Sequence, residues 1–458
     1  MKRIFYLLTI LAFLAGCADD DSFSTSAQLR LTFSADTIQL DTLFSATPSK
    51  TYAFWVYNRH DDGVRIATVQ LQRRNQSGFR VNVDGSYLDN TSGSAVRNLE
   101  IRRNDSVLVF VELTAPLTRQ DGPVAVDDNL VFTLESGAEQ RVNLRAWAWD
   151  AIRLTDARIE RDSLIETATP IIICGGLTVA EGARLTVRNT TLYFHDQAGI
   201  DVHGQLTLEN CVLRGDRLDR MFDYLPYDRV SGQWRGLRFY ATSAADTIRG
   251  SEIRNASDAI VVDSAALDPQ QPRLTVDRSV VHNAKGYGIR AVSAYIRLLA
   301  SQVTNTWHDC VAIVGGKAEI VDCTLAQFYP FDADRGKVLY FSDCQGPAGM
   351  PLASLYCEGS ILTGYEKDVW TIDRRAEDAT LEFLFANSLL RSPRVETADS
   401  VRFSNIIWES PTDSIEGKKH FRTIDEENLS YDFRLDSLST AWGLGCYREA
   451  AGLRTRRK

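Results

Sequence analysis

Between about Ala151 and Gly445 short strands return at a nearly fixed interval, and that interval constrains the fold more than any other feature of the chain. In-out-in units stand at Leu177-Thr178-Val179, Leu185-Thr186-Val187 and Leu192-Tyr193-Phe194. Each type returns 20 to 23 residues later, at Ile200-Asp201-Val202, Leu206-Thr207-Leu208 and Val212-Leu213. Further on, Leu274, Ile296 and Ala318 are 22 apart, as are Val281, Val303 and Leu325. Three strands in 22 residues make one coil of a three-faced solenoid. A single coil buries almost nothing. Stacked at about 4.8 Å, its inward side chains meet those of the neighbouring coils and its backbone groups pair with theirs.

The corner after the third strand repeats as well, in Ile253-Arg254-Asn255-Ala256, Val281-His282-Asn283-Ala284 and Val303-Thr304-Asn305-Thr306. Asparagine tolerates a left-handed backbone and can bond the asparagine of the next coil, which is what a stacked corner needs. Third-strand markers at Leu192, Val212, Ile253, Val281, Val303, Leu325, Ile361, Leu389 and Ile406 predict about nine coils, a stack roughly 40 Å long at one strand spacing per coil. The segment Tyr431–Leu435 through Gly443-Leu444-Gly445 is expected to cap its end, and residues 447–458 form a basic tail. Across nearly all of its length the region 151–446 resembles the right-handed parallel β-helix of the pectin-lyase-like superfamily. Because the resemblance lies in a repeat pattern, it implies a fold and leaves the chemistry open.

The preceding region has another period. From Leu29 to Trp149 polar and apolar residues alternate in eight or so short runs, among them Thr51–Tyr57 and Ser106–Leu113, separated by turn formers. That reads as an antiparallel β-sandwich over residues 27–150. In pattern and strand order it resembles immunoglobulin-like domains of surface lipoproteins. The expected fold class is therefore all-β, a β-sandwich followed by a right-handed parallel β-helix of about nine three-strand coils.

Ahead of both regions stand basic Lys2 and Arg3, an apolar run from Ile4 to Leu14, and Leu14-Ala15-Gly16-Cys17. A run this short is an export signal rather than a membrane span. Its end resembles the lipobox of bacterial lipoproteins, which implies removal of residues 1–16 and acylation of Cys17. The tether 17–26 carries Asp19-Asp20-Asp21, resembling the acidic signal that sends Bacteroidota-type lipoproteins to the outer face of the outer membrane. The implied partner is thus the outer membrane, reached through the lipid. Without Lys2 and Arg3, 49 basic residues face 60 acidic ones, a formal charge of −11 that argues against nucleic acid as a partner.

Seven cysteines follow Cys17 (174, 211, 310, 323, 344, 357 and 446), with no Cys-x-x-Cys spacing and no interleaved histidine, so no metal site is expected. In contexts such as Asn210-Cys211-Val212 a free cysteine serves as a small buried apolar residue, and a bridge of Cys344 to Cys357 across a loop is the less favoured reading for that pair.

Two insertions break the solenoid period, and elaborations of that kind carry specificity. Asp216–Gln233 holds Tyr224 and Tyr227 and runs into Trp234-Arg235, and Phe328–Lys337 holds Tyr329, Asp332 and Arg335. With Trp307 at a corner, these rings, carboxylates and guanidinium groups are candidates for stacking on and hydrogen-bonding a sugar. The favoured reading of the loops is nonetheless that they pack on the wall of the solenoid through their own aromatics, with the sugar site as the alternative. Trp307-His308-Asp309 and His195-Asp196 are weaker candidates for a general base, because neighbours on an extended chain point to opposite sides.

The motifs of inverting β-helix hydrolases are absent, and no stacked acidic ladder with a partnered Lys or Arg is evident along the sequence. The favoured reading is a surface lipoprotein that binds glycan, adheres or scaffolds an envelope partner, without catalysis and without a cofactor. The alternative is a polysaccharide lyase or glycoside hydrolase, for which Ca²⁺ enters only in the lyase case. A rod acting purely as a spacer is not separated from the first reading.

Overall fold

The computed structural model describes residues 22–88, 93–120, 122–346, 348–375, 379–409, 412 and 416–447. Cys17, the leader, Asp19–Asp21 and all of the basic tail but Tyr447 lie outside them. The chain divides into two compact units, Met1–Asp150 and Ala151–Lys458.

The first unit is a β-sandwich of two five-stranded sheets. One holds, in spatial order, Thr32–Phe33, Tyr52–Tyr57, Ser106–Leu113, Phe79–Val83 and Ser86–Tyr87. The other holds Thr37–Phe44, Glu139–Trp149, Val124–Leu134, Val64–Leu71 and Ala95–Ile101. Alternate residues enter the shared core, as Phe54 and Val56 do on one strand and Val107, Val109, Val111 and Leu113 on its neighbour. One pairing departs from the expected antiparallel pattern: Thr37–Phe44 lies parallel to Glu139–Trp149.

The second unit is the parallel β-helix. Its third face joins eleven strands among the described residues, running from the start of Ile152–Ile159 through Ile171–Val179, Thr191–Phe194, Val212–Gly215, Glu252–Arg254, Val280–Ala284, Gln302–Thr306, Thr324–Gln327, Ile361–Gly364 and Leu389–Arg391 to Ile407–Glu409. Nine coils are complete. The first of these closes on Ile171–Ile173, one coil earlier than the sequence markers begin, and Ile407–Glu409 belongs to a partial coil. Register also corrects four markers. Leu192, Leu213, Ile253, Val281, Val303, Leu325, Leu362, Leu390 and Trp408 share one inward column, so Val212, Ile361, Leu389 and Ile406 are displaced from it. Runs of adjacent apolar residues on these strands conceal which member faces inward.

The expected asparagine corner is present: Asn255, Asn283 and Asn305 have φ of +63°, +60° and +55°. Asn283 Nδ2 donates to Asn255 Oδ1 at 2.8 Å. All seven cysteines downstream of Cys17 are unpaired, so Cys344 and Cys357 are not bridged. Burial pushes the thiols of Cys310 and Cys357 up to about 12, which keeps them protonated and inert.

The closing segment does not cap the stack. Its hairpin, Phe421–Asp425 with Ser430–Leu435, folds back along the third face, where Phe421, Phe433, Leu435 and Ala441 pack on Ala326, Phe328, Ile361 and Leu389. Ile361 and Leu389 are outward apolar residues of the last third strands, and burying them outweighs covering the stack's end. The end is filled instead by rings: Phe403 lies 5.2 Å from Phe385, 5.7 Å from Trp370 and 5.4 Å from Trp408.

Candidate functional site

Residues two places apart on a third strand face the same way, so one outward position per coil builds a column across the stack. On the third face that column reads Tyr193, Arg214, Arg254, His282, Thr304, Ala326, Thr363, Arg391 and Glu409. The column is thus basic at Arg214 and Arg254, with Glu409 at its far end, and the acids that face the two arginines come from outside it. Asp228, in the first insertion, lies 2.8 Å from Arg214 and 3.2 Å from Arg254, and Glu252 lies 3.3 Å from Arg254. The corner asparagines hold that insertion in place, Asn255 donating to Asp228 O at 2.8 Å and Asn283 to Arg229 O at 3.0 Å.

Three non-repeating pieces roof this column: the two insertions, joined by Ser231 Oγ and Tyr329 Oη at 2.7 Å, and the C-terminal hairpin. Two adjoining cavities of about 280 and 270 Å³ remain beneath them, sharing Glu252, His282 and Tyr431. The first reaches Asp228, Arg229, Arg254, Asn283, Pro330 and Ser430, and the second reaches Gln302, Asp432, Arg434 and Tyr447. Together they fall within the roughly 300–1,000 Å³ of small-molecule sites.

His282 faces both cavities. Burial, with the Arg254 cation beside it, lowers its pKa to about 4, so the imidazole is neutral near pH 7. One ring nitrogen, Nδ1, lies 2.9 Å from Thr304 Oγ1, and Tyr431 stands edge-on at 5.6 Å. With Asp228, Glu252 and Asp432 all in guanidinium ion pairs, the cleft presents fixed donors and acceptors rather than a poised acid and base. Such an array suits a ligand rich in hydroxyl groups.

The residues singled out from the sequence have divergent fates. Trp234 is wholly buried, stacked on Phe194 at 4.1 Å with Nε1 donating to Arg254 O, and Tyr329 is 3% exposed. Neither offers a ring to a sugar, which corrects their assignment. The apolar column accepts an aromatic where the chain re-enters the coil. Arg235 is held by Asp201 in two bonds of 2.8 and 2.6 Å, and Arg335 donates to Tyr329 O with its guanidinium over Tyr365. Tyr227 lies under Arg217, and Asp332 caps the turn at Asp334. Tyr224 is 80% exposed on a hairpin tip, its ring 5.6 Å from that of Phe222.

Trp307 joins a half-exposed row of rings drawn from two coils, stacked on His308 at 5.0 Å with Tyr287 on the other side at 5.0 Å. Asp309 is turned away to accept the Lys337 N–H at 2.7 Å, and burial raises its pKa. The other weak candidate is changed by stacking: His195 pairs not with Asp196 but with Asp216 of the next coil, at 2.7 Å. Spacing by one coil was the signal for that contact.

Ser439, His420 and Glu409 mimic a hydrolytic triad, with Ser439 Oγ 3.0 Å from His420 Nδ1 and Glu409 Oε1 3.3 Å from Nε2. All three are at most 5% exposed, and Thr363 also donates to Glu409 at 2.6 Å. Substrate cannot reach the hydroxyl, so the arrangement ties the C-terminal segment to the third face. Among the described residues no three His, Cys, Asp or Glu side chains converge as a metal site. No described helix is long and apolar enough to cross a membrane.

Residues 1–18 match the family model of the prokaryotic membrane lipoprotein lipid attachment site, so the chain carries the signal of a membrane-anchored lipoprotein. No curated protein matches the sequence. Among solved structures, similarity extends to the catalytic unit of a GH87 α-1,3-glucanase from Streptomyces thermodiastaticus strain HF3-3. Identity is 10%, with 78% of this chain and 89% of that one covered and a TM-score of 0.30. A family 123 glycoside hydrolase from Clostridium perfringens matches at 7% identity over 31% of each chain, with a TM-score of 0.21, so this chain spans under a third of that enzyme. A PapD-like domain of human CEP192 matches at 12% identity, covering 30% of this chain and 96% of that one, with a TM-score of 0.18.

Proposed function

We propose that the protein is an outer-membrane lipoprotein displayed on the cell surface, whose β-helix binds glycan, and through it adheres or scaffolds, without catalysis of its own. One observation carries the reading: the three pieces that break the repeat all converge on the charged cleft of the third face. The cleft's carboxylates are engaged by Arg214, Arg254 and Arg434, its imidazole is neutral, and the ring row of Tyr287, His308 and Trp307 gives a sugar an apolar face. Anchoring through acylated Cys17 and sorting by Asp19–Asp21 belong to the same proposal.

The test uses the mature chain from Ala18 onward, run through gels containing neutral and acidic polysaccharides. Retarded migration is expected with at least one of them, weakened several-fold by Arg229→Ala or Trp307→Ala. New reducing ends or unsaturated products would replace this reading by the lyase or hydrolase alternative. Unretarded migration with every polysaccharide would remove glycan from it.

A further inference from the structure

The sandwich contains a groove of its own, of about 690 Å³. Its floor is the buried apolar set Leu71, Phe79 and Leu88. Arg74, Asn75, Arg80, Glu112 and Thr114 stand along it with Tyr87, which is 65% exposed on a two-residue edge strand. Gly78 closes one side at φ +82°, where a Cβ would sit 2.3 Å from Thr114 O, so the wall has no room for a side chain.

The charges here are lopsided. Arg80 donates to Thr114 Oγ1 at 3.2 Å and lies 3.4 Å from Glu112, which already accepts the Thr51 hydroxyl at 2.5 Å. Arg74, at φ +56°, reaches Gly93 O at 3.0 Å with one of its five N–H donors. Among the described residues, two guanidinium groups therefore face the groove against a single carboxylate that is already engaged.

Rings continue outward from the groove's mouth. Tyr87 pairs with Asn82, Asn82 with Phe110, and Phe110 with Ala53, two residues before Trp55. Phe110 and Trp55 are 39% and 43% exposed, and Tyr57 stacks on Trp55 at 6.5 Å with 20° between the planes. Solvent-facing sheet positions ordinarily carry small polar or charged residues, and a run of open rings marks a contact surface.

We propose that this groove and the ring track beside it bind a linear polysaccharide bearing anionic groups, with Arg74 and Arg80 taking the carboxylate or sulfate and Tyr87, Phe110 and Trp55 stacking on successive sugars. A planar guanidinium matches either oxyanion bidentately, and exposed aromatic faces match the apolar faces of pyranose rings. This site is separate from the third-face cleft and does not depend on it.

Affinity of the mature chain is measured for polygalacturonate, dextran sulfate and unmodified dextran, alongside Tyr87→Ala, Arg74→Ala, Tyr87→Phe and the cleft variant Arg229→Ala. Binding is expected to one or both anionic polymers above dextran, and which one distinguishes uronate from sulfate. Tyr87→Ala and Arg74→Ala each weaken it about tenfold, while Tyr87→Phe and Arg229→Ala leave it within twofold. Thermal melts equal to wild type show that the exposed substitutions leave the fold intact. Unchanged affinity in Tyr87→Ala, or loss in Arg229→Ala alone, overturns the proposal, and the second outcome leaves the cleft reading standing.

Discussion

At every passage from second to third strand after that of the first coil, one residue enters the left-handed region: Asn189, Asn210, Gly250, Arg278, Ala300, Asp322, Gly359, Asn387 and Asn405. In all but the last, the residue that follows carries a hydroxyl or thiol, and these stack as Thr190, Cys211, Ser251, Ser279, Ser301, Cys323, Ser360 and Ser388. Ser251 N–H donates to Ser279 Oγ and Ser279 N–H to Ser301 Oγ, each at 3.1 Å. Ser279→Ala leaves a buried N–H without an acceptor and is expected to cost about 1–3 kcal/mol in denaturant unfolding, with Ser279→Cys costing less. The asparagine corner makes a sharper contrast. Asn283→Ala loses two hydrogen bonds and strains φ, about 2–4 kcal/mol, whereas Asn283→Gly removes the strain and recovers part of that loss. The asparagines were legible because the same letter recurs. The hydroxyl column was not, because the residues ahead of it vary and because cysteine and serine share it. A buried carboxyl adds a pH signature: burial raises Asp246 to about 7. Folding then takes up a proton between about pH 4 and 7, so this residue's contribution favours the folded state at low pH and is lost as pH rises through 7. Asp246→Asn should therefore raise the melting temperature relative to wild type at pH 8 and leave it unchanged at pH 4. His282, depressed to about 4, has the opposite sign over pH 4 to 6.5, so the comparison is made variant against wild type.

Elements that repeat announced themselves, and elements that break the repeat did not announce where they would lie. Both insertions were found as interruptions, yet their aromatic residues divide between core and solvent by which side of the re-entering strand they occupy, as Trp234 and Tyr224 show. The outward column Arg214, Arg254 and His282 is assembled from residues 28 to 40 positions apart, and only register brings them together. The C-terminal hairpin covers the third face because Ile361 and Leu389 point outward there and need burial. Phe433 stands at the centre of that contact, 5.1 Å from Phe421 and 6.4 Å from Phe328. Phe433→Ala is expected to cost about 3–5 kcal/mol of stability in the segment. Limited proteolysis should then release the hairpin while the far-ultraviolet β signal of the coils persists. Simultaneous loss of both would mean that the hairpin is integral to the stack.

For the whole molecule, the lipid attachment signal of residues 1–18 precedes two β units, and the proposed acylation of Cys17 would make the lipid their tether. A Cys17→Ala protein should incorporate no labelled fatty acid, whereas the wild-type chain should. Protease shaving of intact cells checks display on the surface, with the wild-type chain expected to be cut. The proposed function places the glycan contact of the anchored chain at the third face. The most direct measurement is hydrogen–deuterium exchange of the mature protein with and without a neutral polysaccharide that retards it. Slower exchange is expected in peptides carrying Asp228–Arg229, Glu252–Arg254, His282–Asn283 and Leu429–Tyr431. Protection confined to other segments, or cleaved polysaccharide in the same sample, would contradict the account.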